Sequence, residues 1–284
     1  MDRPRTLYVS DLDGTLLNSQ TVISPRSAFI INRLIQDHGT LFSIATARTP
    51  ATAVSLMEGI DTPLPFILMS GATMWDNRTQ QFLNVRSIPQ EVAARLLTIF
   101  ESHGVCPFLY LQQGNHICTR HSERLTEAEY AFIHPRTTGT PYKRLQLVRR
   151  LTADTEDPIM LVCSTGKFEV LNRVYEDILA AQLSCSAVCF RDVEHLELGY
   201  LEIHAQGTTK ALALRQLANQ VKAERIVVFG DNLNDIPMMR EADHAVCVAN
   251  AFDDVKRVAD EITLTNDEDA VALWIERDVL GTHY

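Results

Sequence analysis

Short apolar runs alternate with amphipathic helical patterns in the first third of the chain. The predicted strands are Thr6–Ser10, Leu41–Ala45 and Phe66–Met69. Helices are predicted to begin at Ser24-Pro25 and Thr49-Pro50, because a hydroxyl residue caps a helix and proline fits its first turn. Gly39 is typical of the residue that follows a helix. This β-α-β-α-β order predicts a parallel sheet with helices on its faces.

The last third of the chain repeats this alternation. Strands are predicted at Arg225–Phe229, Ala245–Val248 and Glu261–Leu264, and helices near Thr208–Asn219, Ile236–Ala242, Phe252–Ala259 and Asp267–Asp278. Both ends of the chain therefore predict halves of one α/β, doubly wound, Rossmann-like parallel sheet.

The middle of the chain has a different, α+β pattern. Helices are predicted at Gln90–His103, Glu123–Ile133 and Phe168–Gln182, and strands at Phe108–Leu111, His116–Thr119, Ile159–Cys163, Ala187–Asp192 and Leu196–His204. Pro135–Asp157 is predicted to be a loop with one short element. We therefore expect a core domain made of residues 1–85 and 198–284, with residues 86–197 inserted as an α+β domain.

Composition narrows the classes of function. The chain has 284 residues, of which 46% are hydrophobic, so about two globular domains are expected. Its net charge of −10, without a Lys/Arg-rich run, argues against a nucleic-acid partner. Its apolar runs fall short of the roughly 18 residues that a membrane span needs. Six scattered cysteines indicate reduced core thiols and a cytoplasmic location. Oligomeric state is not encoded in any of these patterns.

The first chemical motif, Asp11-Leu12-Asp13-Gly14-Thr15, directly follows the first predicted strand. Ligands of open α/β sheets bind at the carboxyl ends of the strands, where these two carboxylates should lie. Gly14 allows the backbone to turn sharply beside them. An acidic turn would explain a lone Asp-x-Asp, but the five-residue motif is more specific than that.

Two further motifs fall at the same predicted edge of the sheet. Thr46, in Thr46-Ala47-Arg48, offers a hydroxyl and adjacent backbone N–H groups to a phosphate oxygen. Lys210 lies in the first turn of a predicted helix, where the helix dipole disfavours an ammonium unless an anion accompanies it. Alternatively, Thr46 could simply cap a helix and Lys210 could be a solvated surface lysine. The presence of the other motifs at the same predicted edge argues against both alternatives.

The fourth motif is Gly230-Asp231-Asn232-Leu233-Asn234-Asp235, directly after another predicted strand. Asp231 and Asp235 supply oxygen ligands or supports for a cation such as Mg²⁺, and Asn234 supplies an amide donor. Four acidic groups at one sheet edge would repel each other strongly without a cation. The clustering therefore predicts a metal site.

Taken together in this order, the four motifs resemble those of the haloacid dehalogenase superfamily of phosphohydrolases. The long insert between the second and third motifs resembles the Cof-type subfamily with a C2 cap. Further subfamily matches are Glu202-Ile203 before Gly207-x-x-Lys210, Val248-x-Asn250-Ala251 and Thr265-Asn266-x-x-Asp269. The chain departs from the family pattern at Ala47, Ser70 and Ala270, where the family usually has Gly, Asn and Gly.

The resemblance implies a role for each motif residue. Asp11 would be the nucleophile that forms an aspartyl-phosphate, and Asp13 the general acid and base. Mg²⁺ would be held by Asp11, Asp231 and the backbone carbonyl of Asp13, with Asp235 supporting these ligands. The oxygens of the transferring phosphoryl group would be bound by Thr46, Lys210, Asn234 and the backbone N–H groups of Leu12 and Ala47.

The expected function is hydrolysis of small phosphorylated metabolites such as sugar phosphates, nucleotides or phosphorylated vitamins. A large insert favours small substrates because it can close over the site and exclude macromolecules. A phosphomutase would use the same Asp pair and is the alternative among enzymes. A receiver-like phospho-Asp switch is the alternative outside enzymes, but receivers are shorter and their accessory acids precede the nucleophile. A catalytically inactive relative is disfavoured because every expected polar group is present.

Overall fold

In the computed structural model, which describes residues 4–192 and 195–281, the chain divides into two units. The core unit combines the chain up to Leu83 with the chain from Thr209 onward, and the insert unit spans Asn84–Thr208. The strands are β1 Thr6–Ser10, β2 Leu41–Ile44, β3 Phe66–Leu68, β4 Thr73–Asp76, β5 Gln81–Leu83, β6 Phe108–Gln113, β7 His116–Ser122, β8 Lys143–Val148, β9 Ile159–Lys167, β10 Cys185–Arg191, β11 Leu198–Ala205, β12 Arg225–Gly230, β13 His244–Cys247 and β14 Glu261–Ile262. The helices are α1 Pro25–His38, α2 Pro50–Leu56, α3 Gln90–Ser102, α4 Glu127–Thr137, α5 Phe168–Ala180, α6 Lys210–Val221, α7 Ile236–Met239, α8 Asp253–Lys256 and α9 Ala270–Leu280.

The core unit is built on a five-stranded parallel sheet in the order β14-β13-β12-β1-β2. The first strand of the chain lies in the interior of this sheet, hydrogen-bonded to β2 on one side and to β12 on the other. Helices α1 and α9 pack on each other, and α6 and α7 contribute to the main apolar cluster. The predicted doubly wound α/β core is therefore confirmed, with strands from both chain ends side by side.

A small antiparallel sheet, β3-β4-β5, also belongs to the core unit. Strand β3 was predicted as a third strand of the parallel sheet but pairs with β4 instead, and β4 and β5 were not predicted. Strands β4 and β5 have only four and three residues, too few for an alternating pattern to be distinctive. Trp75 of β4 is fully buried and meets Phe82 edge-to-face, with ring centroids 5.0 Å apart. Ala45, directly after β2, bridges Ile67 of β3 in parallel.

The insert unit contains a six-stranded mixed sheet in the order β10-β11-β9-β6-β7-β8, in which β7 and β8 run parallel. Helices α3 and α5 supply apolar residues to its core. The domain division expected from sequence, between residues 197 and 198, would place β11 in the core domain. In the structure, β11 hydrogen-bonds to β9 and β10 of the insert sheet. The two units instead divide between Thr208 and Thr209, because strand pairing, which sequence spacing does not reveal, holds β11 in the insert sheet.

One other element of the insert unit differs from its prediction. Helix α4 runs from Glu127 to Thr137 instead of from Glu123 to Ile133, because Thr126 forms a capping box with Glu129. The segment Pro135–Asp157, predicted to be a loop with one short element, contains the six-residue strand β8, in agreement with that prediction. All six cysteines are free thiols, as expected. Within the residues that the structure describes, no helix has the length and apolar character required to cross a bilayer.

Replacing Phe100 with alanine should destabilise the insert unit. Phe100 of α3 is fully buried in the apolar core beneath the six-stranded sheet. Deleting such a ring costs about 3–5 kcal/mol through lost burial and the cavity left behind. Urea denaturation measures the loss, and Phe29→Ala is the control, since Phe29 is 65% exposed and its removal should change stability by less than about 0.5 kcal/mol. Equal losses in both variants would contradict the assignment of this core.

Candidate active site

Asp11 lies at the carboxyl end of β1, where the parallel sheet places the ends of neighbouring strands together. Its backbone N–H donates to the carbonyl of Phe229 at 2.9 Å, so Asp11 continues the pairing of β1 with β12. The chain then forms a tight helical turn, Leu12–Leu16, in which Gly14 has φ +75°. A Cβ atom on Gly14 would lie 2.5 Å from Oδ2 of Asp231. Glycine is therefore required here both by backbone conformation and by the close approach of Asp231.

Asp231 follows β12, the strand next to β1 in the sheet. The hydroxyl of Thr15 donates to Oδ1 of Asp231 at 2.9 Å. Asp231 is therefore held between the Cα of Gly14 and the side chain of Thr15, although 216 residues separate Thr15 from it. The first and fourth motifs thus meet through adjacent strands.

Lys210 is the buried cation of this cluster. Its Nζ donates to Oδ1 of Asp11 at 2.5 Å and to Oδ1 of Asp235 at 2.7 Å. Thr209 caps helix α6 by accepting a hydrogen bond from the N–H of Leu212 at 3.1 Å, which fixes the first turn that carries Lys210. Gly71 packs so closely on the carbonyl of Thr209 that it leaves no room for a Cβ atom. The start of α6 is therefore fixed from two directions.

Asp235 uses both of its carboxylate oxygens within the protein. Oδ1 accepts from Lys210, and Oδ2 accepts the backbone N–H groups of Asp231 and Asn232, each at 3.1 Å. Its side chain is fully buried. This arrangement suits a residue that orients its neighbours, because the lone pairs that point to Lys210 and to the backbone are already occupied.

The carboxylates of Asp11, Asp231 and Asp235 can each place one oxygen within 4.8 Å of the others. When ionised they carry three negative charges against the single positive charge of Lys210. Burial is the largest cause that raises the pKa of Asp11 to about 7, with Lys210 opposing the rise and Asp235 adding to it. Burial likewise raises the pKa of Asp231 to about 6. Hard oxygen donors with a surplus of two negative charges fit a divalent cation such as Mg²⁺.

Asp13 has a different environment from Asp11, although only one residue separates them. Its side chain is half exposed, and both of its oxygens accept hydrogen bonds from Arg48, at 2.8 Å from Nε and 2.7 Å from Nη2. The carboxylate cluster around Lys210 does not include the side chain of Asp13. Two carboxylates with separate environments can perform separate tasks in one reaction.

The remaining predicted phosphate-binding residues lie at the same edge of the sheet, on loops that follow β1, β2 and β12. Thr46 is buried, and its Oγ1 accepts the N–H of Arg48 at 3.2 Å. Ala47 is exposed, Leu12 is fully buried, and Asn234 is exposed on the turn that carries Asp235. The structure therefore brings all the predicted site residues to one edge, while their individual roles stay predictions.

Three contacts of the site were not predicted from sequence: Arg48 with Asp13, Thr15 with Asp231, and Asn250 with the carbonyl of Gly14. Arg48, Thr15 and Asn250 all belong to motifs recognised in the sequence, but the sequence analysis assigned no role to any of them. A signal for Arg48 was available, because a cation two residues after Thr46 falls at the edge where the carboxylates gather. Side-chain pairing across different loops left no comparable signal for Thr15 or Asn250.

Comparisons with known proteins agree with this geometry. A family model described as haloacid dehalogenase-like hydrolase matches residues 8–275. The 5-amino-6-(5-phospho-D-ribitylamino)uracil phosphatase YitU of Bacillus subtilis is 27% identical over 283 residues, covering 97% of this chain and 98% of that protein. The pyridoxal phosphate phosphatase YbhA of Escherichia coli is 24% identical over 281 residues, covering 93% and 95%. A haloacid dehalogenase-like hydrolase from Bacteroides thetaiotaomicron has a TM-score of 0.79 at 26% identity and covers 96% of this chain and 99% of its own.

These matches confirm the family resemblance, the fold class and the hydrolase class expected from the motifs. The match extends over nearly the whole chain, so it includes the insert unit as well as the core unit. The phosphatase names belong to the relatives, and they agree with a site built from clustered carboxylates and a buried lysine.

Divalent cations should stabilise the protein in a pH-dependent way. Since folding raises the pKa of Asp11 and Asp231, the folded chain binds protons more tightly, and the site's contribution to the free energy of unfolding falls as pH rises from about 4 toward about 7. A bound cation favours the ionised carboxylates. The rise in Tm on adding MgCl₂ to EDTA-treated protein should therefore grow over this pH window. Asp231→Asn should flatten the response, and a pH-independent rise in Tm would contradict the assignment.

Replacing Gly14 with alanine should abolish the Mg²⁺-dependent rise in Tm. The new Cβ would displace Asp231, in addition to straining a left-handed backbone. Gly39→Ala is the matched control, since Gly39 has φ +63° but open space around its Cα. The control should lose about 1–2 kcal/mol of stability and keep its response to Mg²⁺. An intact response in Gly14→Ala would show that the approach of Gly14 to Asp231 is unimportant for cation binding.

Proposed function

Since the chain belongs to the haloacid dehalogenase-like hydrolase family, we propose that it is a cytoplasmic, Mg²⁺-dependent phosphatase of small phosphorylated metabolites that acts through an aspartyl-phosphate. The observation that carries this proposal is the buried cluster of Asp11, Lys210, Asp235 and Asp231, with the half-exposed Asp13 beside it. The cluster supplies a nucleophile, a fixed positive charge and a set of metal ligands at one sheet edge.

Asp11 is the nucleophile in this proposal. Its carboxylate attacks phosphorus, an acyl-phosphate bond forms, and the bond from phosphorus to the ester oxygen breaks. Lys210 orients the carboxylate by donating to Oδ1. Its positive charge would stabilise the negative charge that collects on the phosphoryl oxygens. Water then hydrolyses the aspartyl-phosphate, which releases inorganic phosphate and restores the carboxylate.

Asp13 protonates the leaving alkoxide and later removes a proton from the attacking water. Its half-exposed side chain is compatible with reaching a leaving group, whereas the buried Asp11 is held by Lys210. The ion pair with Arg48 holds Asp13 in one orientation before substrate binds. Asp13 must leave at least one of these two hydrogen bonds to act as an acid.

Mg²⁺ would be held by Asp11, Asp231 and the backbone carbonyl of Asp13, and would supply positive charge that balances the carboxylates and the substrate phosphate. Asp235 supports this set by fixing Lys210 and the backbone of Asp231. Thr46, Lys210, Asn234 and the N–H groups of Leu12 and Ala47 bind the phosphoryl oxygens, because the transition state spreads charge over them.

The substrate class follows from relatives that the chain resembles over nearly its full length. Their names give as substrates a phosphorylated ribityl-aminouracil, pyridoxal phosphate and, for a Serratia relative, HMP-PP. All three names denote small phosphorylated molecules. We therefore place sugar phosphates, nucleotides and phosphorylated vitamins or their precursors among the candidates.

Phosphate release from a panel of these metabolites tests the proposal. We expect turnover with MgCl₂, loss of turnover with excess EDTA, and recovery when MgCl₂ is restored. Asp11→Asn should be inactive because an amide is a poor nucleophile toward phosphorus. Full activity of Asp11→Asn, or no turnover of any compound, would contradict the mechanism. Isomer formation from a sugar phosphate without phosphate release would indicate a phosphomutase instead.

Asp13→Ala should reduce kcat according to the leaving group. With an alkyl phosphate the loss should be on the order of 10²-fold or more, the typical weight of general acid–base catalysis. With p-nitrophenyl phosphate the loss in the first chemical step should be smaller, because p-nitrophenolate departs without protonation. Pre-steady-state release of p-nitrophenol measures that step. Equal losses for both leaving groups would contradict the acid role of Asp13.

A further inference from the structure

Two carbonyl groups of the turn after Asp11 accept hydrogen bonds from asparagine side chains of distant loops. At the end of the turn, the backbone N–H of Leu17 donates to the carbonyl of Leu12 at 2.9 Å. The carbonyl of Gly14 accepts from Nδ2 of Asn250 at 2.8 Å, and the carbonyl of Leu17 accepts from Nδ2 of Asn266 at 2.8 Å. The shape of this turn therefore depends on two loops that follow β13 and β14.

The two asparagines are also connected to each other. The backbone N–H of Asn266 donates to Oδ1 of Asn250 at 3.0 Å. The side chain of Asn250 therefore bridges two segments: its amide oxygen accepts from the loop after β14, and its amide nitrogen donates to the turn after Asp11. In addition, the N–H of Ala249 donates to the carbonyl of Leu264 at 3.0 Å, so the loops are joined by backbone as well.

The loop that carries Asn250 is connected to Asp231 in two ways. Asn250 fixes the peptide that joins Gly14 to Thr15, and these two residues confine the carboxylate of Asp231. Two residues beyond Asn250, the N–H of Phe252 donates to the backbone carbonyl of Asp231 at 3.0 Å. The loop after β13 therefore holds the backbone of Asp231 directly and its side chain through Gly14 and Thr15.

We propose that Asn250 and Asn266 are positioning residues that hold the turn after Asp11 against Asp231, and so set the affinity for the divalent cation without contacting it. The inference rests on the proposed function, because it concerns the same metal-dependent site. Partners that orient metal ligands typically contribute about 10-fold to 100-fold in affinity or activity. Asn250 should have the larger effect, since it bridges both loops.

The experiment compares Asn250→Ala and Asn266→Ala with a matched control, Asn32→Ala. Asn32 has the same chemistry: Nδ2 donates to the carbonyl of Gly59, and Oδ1 accepts the N–H of Asp61. It connects α1 to the loop after α2, in the core unit but outside the site. The probes are Mg²⁺ alone, followed by thermal shift, and p-nitrophenyl phosphate, followed by kcat, KM and the half-saturating MgCl₂ concentration.

We expect Asn250→Ala to weaken Mg²⁺ binding by about 10-fold in the thermal-shift titration and to lower kcat, with KM for p-nitrophenyl phosphate changing less than twofold. Asn266→Ala should weaken binding in the same direction and by less. Asn32→Ala should lose comparable Tm and keep the wild-type affinity for Mg²⁺. Asn250→Asp retains the acceptor for Asn266 but lacks the donor for Gly14, so it should resemble Asn250→Ala.

Mg²⁺ affinity within twofold of wild type in both Asn250 variants would overturn the inference, as would an equal loss of affinity in Asn32→Ala. These outcomes are separate from failure of the proposed function, which the wild-type chain alone reports. A wild-type chain that binds Mg²⁺ but hydrolyses no phosphate ester would refute the phosphatase proposal, while the thermal-shift comparison would still decide the role of Asn250.

Discussion

The arrangement of the site depends on one buried cation. Lys210 lies almost completely out of solvent, and its ammonium group donates to both Asp11 and Asp235. Burial alone would lower its pKa, but the two carboxylates outweigh burial and raise it. An isolated buried charge is prohibitively costly, so the ammonium and its partners must be assembled together. This constraint joins the end of β1, the start of α6 and the turn after β12 into one unit.

Parallel pairing of β1 with β12 makes that assembly possible. The two strands come from opposite ends of the chain, and their pairing sets the Asp11 and Asp231 loops side by side at the carboxyl edge. Glycine at position 14 then allows the loops to approach closely, and Thr15 spans the gap by a hydrogen bond. The insertion of a separate unit between Leu83 and Thr209 does not interrupt this sheet, since both chain ends return to it.

The two aspartates of the first motif, Asp11 and Asp13, have different electrostatic environments. Burial raises the pKa of Asp11 to about 7, with Lys210 opposing the rise and Asp235 adding to it, whereas Asp13 is half exposed and pairs with Arg48. A divalent cation would relieve the repulsion around Asp11 and Asp231. The acidic cluster by itself therefore has a surplus of negative charge. The free-energy cost of burying that charge agrees with selection for binding a cation and a phosphate ester.

Local sequence patterns were enough to predict the main elements of the core and the chemical groups that each loop carries. Apolar periodicity and capping residues act over one or two turns, so β1, α1 and the helix that begins at Lys210 were predictable. The motifs also identified the carboxylates and the lysine of the site. Their gathering was predictable because the carboxyl ends of parallel strands lie at a common edge of the sheet. The fold class of the core and the family followed from the same local patterns.

Which side chains contact one another depends on how the elements pack. The pairing of Asp13 with Arg48, of Thr15 with Asp231 and of Asn250 with Gly14 depends on sheet order and loop shape. Strand pairing depends on tertiary structure in the same way. The hydrophobic alternation of β8 is weak, and its position is set by pairing with β7, while β11 belongs to the insert sheet because it pairs with β9. Contacts between residues 35 to more than 200 positions apart arise from packing, which no local pattern encodes.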